Sequence, residues 1–407
     1  MKKVESQQWR DFTIEELETQ VKKTKNWKSP GFDCVHNYWL KSLKTLWPIL
    51  TKVINKMMKN PETIPEWITK GKTTLIFKKG NENEAKNYRP ITCLPTMYKL
   101  NTLLITERVY AHVTDNNILP YEQKGCMRNA RGCKEQLLLD KNIMEIVKRR
   151  KRNISIMWID YKKAYDSVPH EWIKEILTMY KIDPITNAFI SHTMKSWRLL
   201  LTLPNEKEEI KLEECKIKRG IFQGDSFSPL VFCLAMAPLS RILKRAKVGF
   251  KINNELISHL KYIDDLKVYA KNKDEMKRCI NLVEMFSRDI KMELGLDKCA
   301  IINVVKGEVN NKDFETKIPI LTGDDEYRYL GIAETSDILH NKMKEIEVKE
   351  FFKRVRAIGK AKLNAMNFTR AFNSFAVPVI RYGFGILNWT KTELQQLDRK
   401  TSRSGMV

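Results

Sequence analysis

Asp160 ends the apolar run NISIMWID, and Asp264 and Asp265 lie side by side in SHLKYIDDLKVYA. The run before Asp160 is rich in β-formers and reads as a buried strand. A carboxylate at the end of such a strand is expensive unless it caps the next turn or binds a cation. The second segment reads as two short strands joined at the acidic pair, a β-hairpin with carboxylates at its turn. Adjacent like charges raise each other's proton affinity unless a cation neutralises them. If strand and hairpin are neighbours in one sheet, three carboxylates converge, and an all-oxygen set of that kind suits Mg²⁺. Two such ions, roughly 3.5–4 Å apart, can activate a hydroxyl and stabilise a departing oxyanion. Asp-Asp pairs are also common in turns, so the pair by itself reads first as structural, and its context must decide.

The elements that would position these residues follow from pattern. Residues 1–68 read as mainly helical, with apolar residues at helical intervals from Leu40 to Met58 and Pro48 expected to interrupt them. Residues 72–78 read as a strand, followed by a polar turn through Asn81 and Asn83 and a second extended piece at YRPITCL. Helices are expected over 132–147, 171–181, 274–292 and 341–365, the last of them basic. Ser228 can cap a helix and Pro229 suits its first position, whereas Pro238 should kink or end it. A turn at Gly295 leads to a strand over 299–304. No repeat, low-complexity tract or Gly/Ser/Pro-rich linker divides the chain, so its subdomains are expected to share one continuous body.

Composition narrows the partners. The 407 residues carry 73 Lys and Arg against 49 Asp and Glu, a formal net charge of +24. Such a surplus favours a polyanion, with nucleic acid foremost. The basic run from Lys148 to Arg152 reads first as a solvated loop and second as a nucleic-acid contact. None of the eight cysteines forms a CxxC pair, and no His stands at zinc-finger spacing from two of them. They read as reduced intracellular thiols. The start, MKKVESQQWRDF, lacks the apolar stretch of a signal peptide, and LVFCLAMAPL is too short to span a bilayer. No membrane partner is expected.

The motifs around the aspartates resemble those of reverse transcriptases. Tyr262-Ile263-Asp264-Asp265 resembles their aromatic-x-Asp-Asp signature. DYKKAYDSV, starting at Asp160, is similar to the first catalytic motif of non-LTR (LINE-type) retrotransposon enzymes, and RGIFQGDSFSPLVF to their substrate-positioning motif. LIFKKG and NYRPITCLP resemble the fingers motifs. LGLDKCAII and YRYLGI resemble the lysine-bearing and primer-grip motifs. WKSPGFDCVHNYWLK is similar to an N-terminal motif of the non-LTR group. EQKGCMRNARGCKEQ and LNWTKTELQQLDRKT bring the resemblance closest to the site-specific branch that encodes a restriction-like endonuclease. The resemblance covers roughly residues 25–401, with about eight motifs in family order.

The resemblance implies an α+β right-hand polymerase with an antiparallel palm sheet and a helical thumb. The expected boundaries are an N-terminal helical extension over 1–68, fingers and palm over 69–336, and a thumb over 337–407. The implied activity is RNA-directed DNA polymerisation: cDNA is made from an RNA template, a DNA primer or target and dNTPs, with two Mg²⁺ ions or with Mn²⁺. Asp160 and Asp264 would be the principal metal ligands and Asp265 would complete the cluster, with a backbone carbonyl at Ile159 or Tyr161 as a further oxygen. Tyr165 matches the bulky ring that rejects a 2′-hydroxyl, against a reading as a core aromatic. Gln223 and Gly224 would line the nucleotide and template pocket, and Asp166 reads as a turn or helix cap. Lys78 and Arg89 would hold the triphosphate, with Lys79 competing for the lysine role. Lys298 matches a proton donor to the leaving pyrophosphate, against a reading as a surface lysine. Tyr329, Leu330 and Gly331 would form the primer grip. Lys353, Arg354 and Arg356 could track a duplex.

Two departures qualify the match. Phe32 stands where the family's early motif usually has Pro. Ile263 stands where Ala is frequent, and as a β-branched residue it is expected to suit a strand end. The family's flanking DNA-binding and endonuclease modules are not visible, and SRSGMV does not resemble its continuation. The alternative to an active polymerase is therefore a truncated or co-opted fragment that binds nucleic acid without synthesis. The expected setting is intracellular, with nuclear action at the target.

Overall fold

The computed structural model describes residues 4–78, 80–203, 210–311, 314–322 and 325–403. Thirteen strands occur among them. In chain order the first seven are β1 (Lys70–Phe77), β2 (Tyr88–Cys93), β3 (Ile154–Ile159), β4 (Arg198–Leu203), β5 (Ile210–Lys216), β6 (Phe250–Ile252) and β7 (Glu255–Ile257). The remainder are β8 (His259–Tyr262), β9 (Asp265–Ala270), β10 (Ala300–Val305), β11 (Glu308–Val309), β12 (Tyr327–Tyr329) and β13 (Ile332–Glu334). The chain forms two compact units, each built from three separated stretches.

The first unit comprises Met1–Tyr121, Tyr161–Ile242 and Val283–Leu294. Its sheet has the order β2-β1-β4-β5. β1 pairs antiparallel with β2 and parallel with β4, so a long crossover separates those two neighbours in sequence. Pro48 separates two helices: Asn37–Ser42 ends before it, and Trp47–Lys59 carries it in its first turn, where the missing N–H costs nothing. Pro238 does not end its helix, which runs from Ser228 to Arg245. Leu234, Ala235, Ala237 and Leu239 are fully buried beside it, and this packing offsets the lost hydrogen bond. Helix Thr96–Asp115 has no counterpart in the sequence expectation. It buries Tyr98, Asn101, Leu104 and Ile105 around much of its circumference, so it shows no single apolar stripe.

The second unit comprises Glu122–Asp160, Leu243–Leu282 and Gly295–Val407. Its five-stranded sheet, β11-β10-β3-β9-β8, is antiparallel at every pairing. All six residues of β3 are buried, which explains a continuous apolar run rather than an alternating one. Ile156, Trp158, Tyr269 and Ile302 pack in its core with Ile143 and Met144 of helix Cys133–Arg149. β12 and β13 form a separate hairpin, as do β6 and β7. Helix His340–Lys360 places Phe351, Val355 and Ile358 against Ala376 and Ile380 in a small cluster of its own. The mixed helix-and-sheet class with an antiparallel palm sheet agrees with the expected polymerase fold. None of the eight cysteines is in a disulfide. No helix among the described residues is long and apolar enough to cross a membrane.

Candidate active site

The three aspartates lie in the second unit. Asp160 directly follows β3, and Asp265 opens β9 beside it; the register pairs Ile159 with Leu266. Tyr262 and Asp265 face each other across the β8–β9 hairpin, leaving Ile263 and Asp264 as its two-residue turn. Ile263 is therefore not at a strand end. It occupies the left-handed region at φ 56°, a conformation that costs a β-branched residue about 1–3 kcal/mol.

That turn is clamped from the segment before helix Cys133–Arg149. The Ile263 N–H donates to Gln123 Oε1 at 2.9 Å, and Gln123 Nε2 donates to the Ile263 carbonyl at 3.3 Å. The Gly125 N–H donates to the same Oε1 at 2.9 Å. A Cβ on Gly125 would stand 2.4 Å from Ile263 Cγ1, so only glycine fits there. Gln123 is buried, and its role was not legible in the sequence. The EQKGC motif containing it was the only signal.

Electrostatics fits the hard-cation reading. Burial first, and then the charges of Asp264 and Asp160, push the Asp265 carboxyl up to about 7. Burial and the charges of Asp160 and Asp265 also push the Tyr327 phenol well above its ordinary range. Among the described residues no three His, Cys, Asp or Glu side chains are gathered as a formed metal nest. Uncompensated carboxylates repel, and a cation between them removes that penalty. Lys298 Nζ lies 3.8 Å from Asp160 Oδ1 and is largely exposed. The turn carrying it is tied to Asp160, whose carbonyl accepts the Gly295 N–H at 2.9 Å.

The hairpin β12–β13 turns at Leu330 and Gly331, both at positive φ, 45° and 84°. This is the backbone of a tight two-residue turn. Tyr329 is buried, so its ring anchors the hairpin and only Leu330 and Gly331 form the accessible tip. Tyr382 Oη donates to the Leu330 carbonyl. On helix His340–Lys360, Arg354 is engaged by Glu350 at 2.9 Å and by the Phe375 carbonyl at 3.0 Å, Lys353 is exposed with Nζ 3.7 Å from Glu350 Oε2, and Arg356 is exposed. In the basic run, Lys148 pairs with Asp337 at 3.0 Å and Arg152 donates to the Lys251 carbonyl at 2.7 Å.

The first unit holds the other candidates. Tyr165, in the short helix Ala164–Ser167, stacks on Phe232 with ring centroids 5.2 Å apart and planes within 6°. Asp166 lies inside that helix rather than at its cap, and its Oδ1 accepts Gln223 Nε2 at 3.1 Å. The Gln223 carbonyl accepts the Thr92 N–H at 3.0 Å, which hangs this loop on β2. Gly224 sits at φ 124°, and a Cβ there would meet the Thr92 carbonyl oxygen at 2.7 Å. Asp166, Lys216, Lys218, Arg219 and Gln223 line an open cleft of about 430 Å³. Lys78 and Arg89 are both exposed. Arg89 pairs with Ile76 and Lys78 lies two residues further on, so both side chains leave one face of the β1–β2 hairpin. Lys79 lies outside the described residues.

Residues 76–333, more than half of the chain, match the family described as reverse transcriptase (RNA-dependent DNA polymerase). The Pol polyprotein of the type-1 retrotransposable element R2 of Popillia japonica is 29% identical over 277 residues, 66% of this chain and 38% of that protein. The polyprotein of the type-2 element R2DM of Drosophila melanogaster is 25% identical over 291 residues, 67% of this chain and 26% of that one. The RNA-directed DNA polymerase of the mobile element jockey of Drosophila funebris is 22% identical over 331 residues, 79% of this chain and 35% of that one. The chain thus spans between about a quarter and two fifths of these relatives. Among solved structures, apo telomerase of Candida tropicalis, truncated from its C-terminal domain, aligns with 72% of this chain and 60% of its own at a TM-score of 0.43 and 15% identity.

Proposed function

The chain belongs to the reverse transcriptase family of RNA-dependent DNA polymerases, and from that premise we propose that it extends a DNA 3′-hydroxyl along an RNA template as part of a non-LTR retrotransposon. One observation carries the reading: three carboxylates sit at the adjoining ends of neighbouring strands, with Asp265 held up to about 7 by burial and by the other two. Asp160, Asp264 and Asp265 would hold two Mg²⁺ ions, which supply charge neutralisation at the attacking and leaving oxygens. Lys298 would stand near the leaving pyrophosphate as a proton donor. Lys78 and Arg89 would bind the triphosphate, Tyr165 would bar a 2′-hydroxyl, and Gln223 with Gly224 would line the pocket. Leu330 and Gly331 would hold the primer end. Fingers, palm and thumb would divide near the boundaries expected from sequence, and action on a chromosomal target would place the protein in the nucleus.

Primer extension tests this. Purified protein with a primed RNA template, Mg²⁺ and dNTPs should yield cDNA. Asp264→Asn should lower the rate by roughly three orders of magnitude, the equivalent of several kcal/mol of lost charge stabilisation. Binding of the primed template without extension under Mg²⁺ or Mn²⁺ would instead support a nucleic-acid-binding fragment. Undiminished extension by Asp264→Asn would remove the site assignment.

A further inference from the structure

Lys267 is one of the largest fully buried side chains of the molecule, and it lies two residues after Asp265 on β9. Strand alternation puts both on one face of the sheet. On that face Trp158, two residues before Asp160, is the cross-strand partner of Lys267. The rung below the carboxylates is therefore a tryptophan and a buried cation.

The Lys267 ammonium lies 2.7 Å from Asp140 Oδ1 and 2.6 Å from Glu334 Oε1. It also stands 4.8 Å from the Trp158 ring centroid and 5.0 Å from that of Tyr329. Trp158 Nε1 donates to Glu334 Oε1 at 2.6 Å, and Tyr269 Oη donates to Asp140 Oδ1 at 2.6 Å. All three charged side chains are fully buried. Such a cluster is a poor way to gain stability, because desolvating three ionisable groups takes back most of their attraction and apolar residues of similar volume would serve as well. Its distinctive contribution is geometric. Asp140 belongs to helix Cys133–Arg149, Lys267 to β9, and Glu334 ends the β12–β13 hairpin. That hairpin belongs to no larger sheet, so no backbone ladder fixes it against β9. Two strands alone are marginal, and their placement falls to side chains. Glu334 meets β3 through Trp158 and β9 through Lys267, while Tyr327 stacks on Trp158 at 5.0 Å.

We propose that Glu334, with Lys267 and Asp140, is a positioning residue that locks the Leu330–Gly331 turn in register with the strand carrying Asp265, and so sets where a primer 3′ end meets the carboxylates. The primer part rests on the polymerase reading; the lock itself does not. Burial and the Asp140 charge push the Glu334 carboxyl well above its usual range against the pull of Lys267. Glutamine keeps the acceptor oxygen that meets Trp158 Nε1 and the Lys267 ammonium. Glu334→Leu leaves Lys267 paired with Asp140 and the Tyr327 ring on Trp158, and cuts the two polar ties that Glu334 makes to β3 and β9.

Hydrogen exchange and kinetics on the full chain test the proposal together. In the unmutated protein the amides of 327–334 should be protected on the scale of those of β9. In Glu334→Leu their protection should fall about tenfold or more, with β3 and β9 unchanged. Extension should show kcat lowered about tenfold and the dNTP KM within about threefold, and Glu334→Gln should restore both. The proposal is overturned if the unmutated hairpin exchanges at loop rates, a result that needs no variant to fold. It is equally overturned if Glu334→Leu keeps full protection, or keeps the unmutated kcat. Absence of extension by the unmutated protein, with the exchange pattern as expected, would remove the polymerase reading and leave the lock standing.

Discussion

Asp225 sits between Gly224 and the helix that begins at Ser228, and it is buried. Thr102 Oγ1 donates to its Oδ1 at 2.6 Å. Burial pushes its carboxyl up to about 6, against the opposing pull of Thr102, of the Ser226 and Phe227 N–H groups and of Lys99. In the unfolded chain the same group titrates near its ordinary 3.8. Between those values the folded state keeps a proton that the unfolded state has lost. The contribution of Asp225 to stability is thus fully present below about pH 4, falls as pH rises towards 6, and is level above that. Two pKa units correspond to roughly 3 kcal/mol. Asp225→Asn removes this titration, so the melting temperature should change less between pH 4.5 and 7 than in the unmutated protein. Thermal unfolding at the two pH values is the check, and equal pH slopes would refute the assignment. At this scale Asp160, Asp264 and Asp265 were legible because each stands in a local motif. Gln123 was not, because it clamps Ile263 from 140 residues away.

Elements decide how exactly those residues are held. The loop before helix Ser228–Arg245 is fixed to β2 by the Thr92 N–H bonded to the Gln223 carbonyl. Gly224 makes that approach possible, since its φ of 124° and its distance to the Thr92 carbonyl exclude a side chain. Gly224→Ala would have to lift the loop from β2, at a cost of about 1–3 kcal/mol. Gln223 would move with it. Extension should fall about tenfold or more with a raised dNTP KM, while affinity for primed template stays within about threefold. Steady-state kinetics beside a binding titration separates these, and unchanged kinetics would show that Gln223 does not line the nucleotide pocket. The strands β3, β8, β9 and β10 could be read in advance because apolar runs and turn residues are local signals. β4 and β5 went unread because β4 is defined by its parallel pairing with β1, far away in sequence. Helix Thr96–Asp115 went unread because a helix buried on several sides loses the stripe that betrays amphipathic ones.

For the whole molecule, division into two units could not be seen in composition, because each unit gathers three stretches and no single linker exists to be marked. Charge, by contrast, was legible from the start. The surplus of +24 survives folding, since each ion pair uses one acid and one base and the bases outnumber the acids. Asp337 takes Lys148, Glu350 takes Arg354, and Glu393 takes Lys344, while Arg89 and Arg356 stand exposed at the surface. If the proposed function holds, a body of this charge should hold a primed template largely through phosphates. Each neutralised phosphate steepens the dependence of log affinity on log salt by about 0.7–0.9. If about six phosphates are engaged, the slope should lie near −5, and affinity should fall roughly a thousandfold between 50 and 200 mM monovalent salt. Fluorescence anisotropy of a labelled primed template across that range measures it. A slope shallower than about −2 would mean that the basic surplus serves solubility and leaves nucleic acid to be held by other contacts.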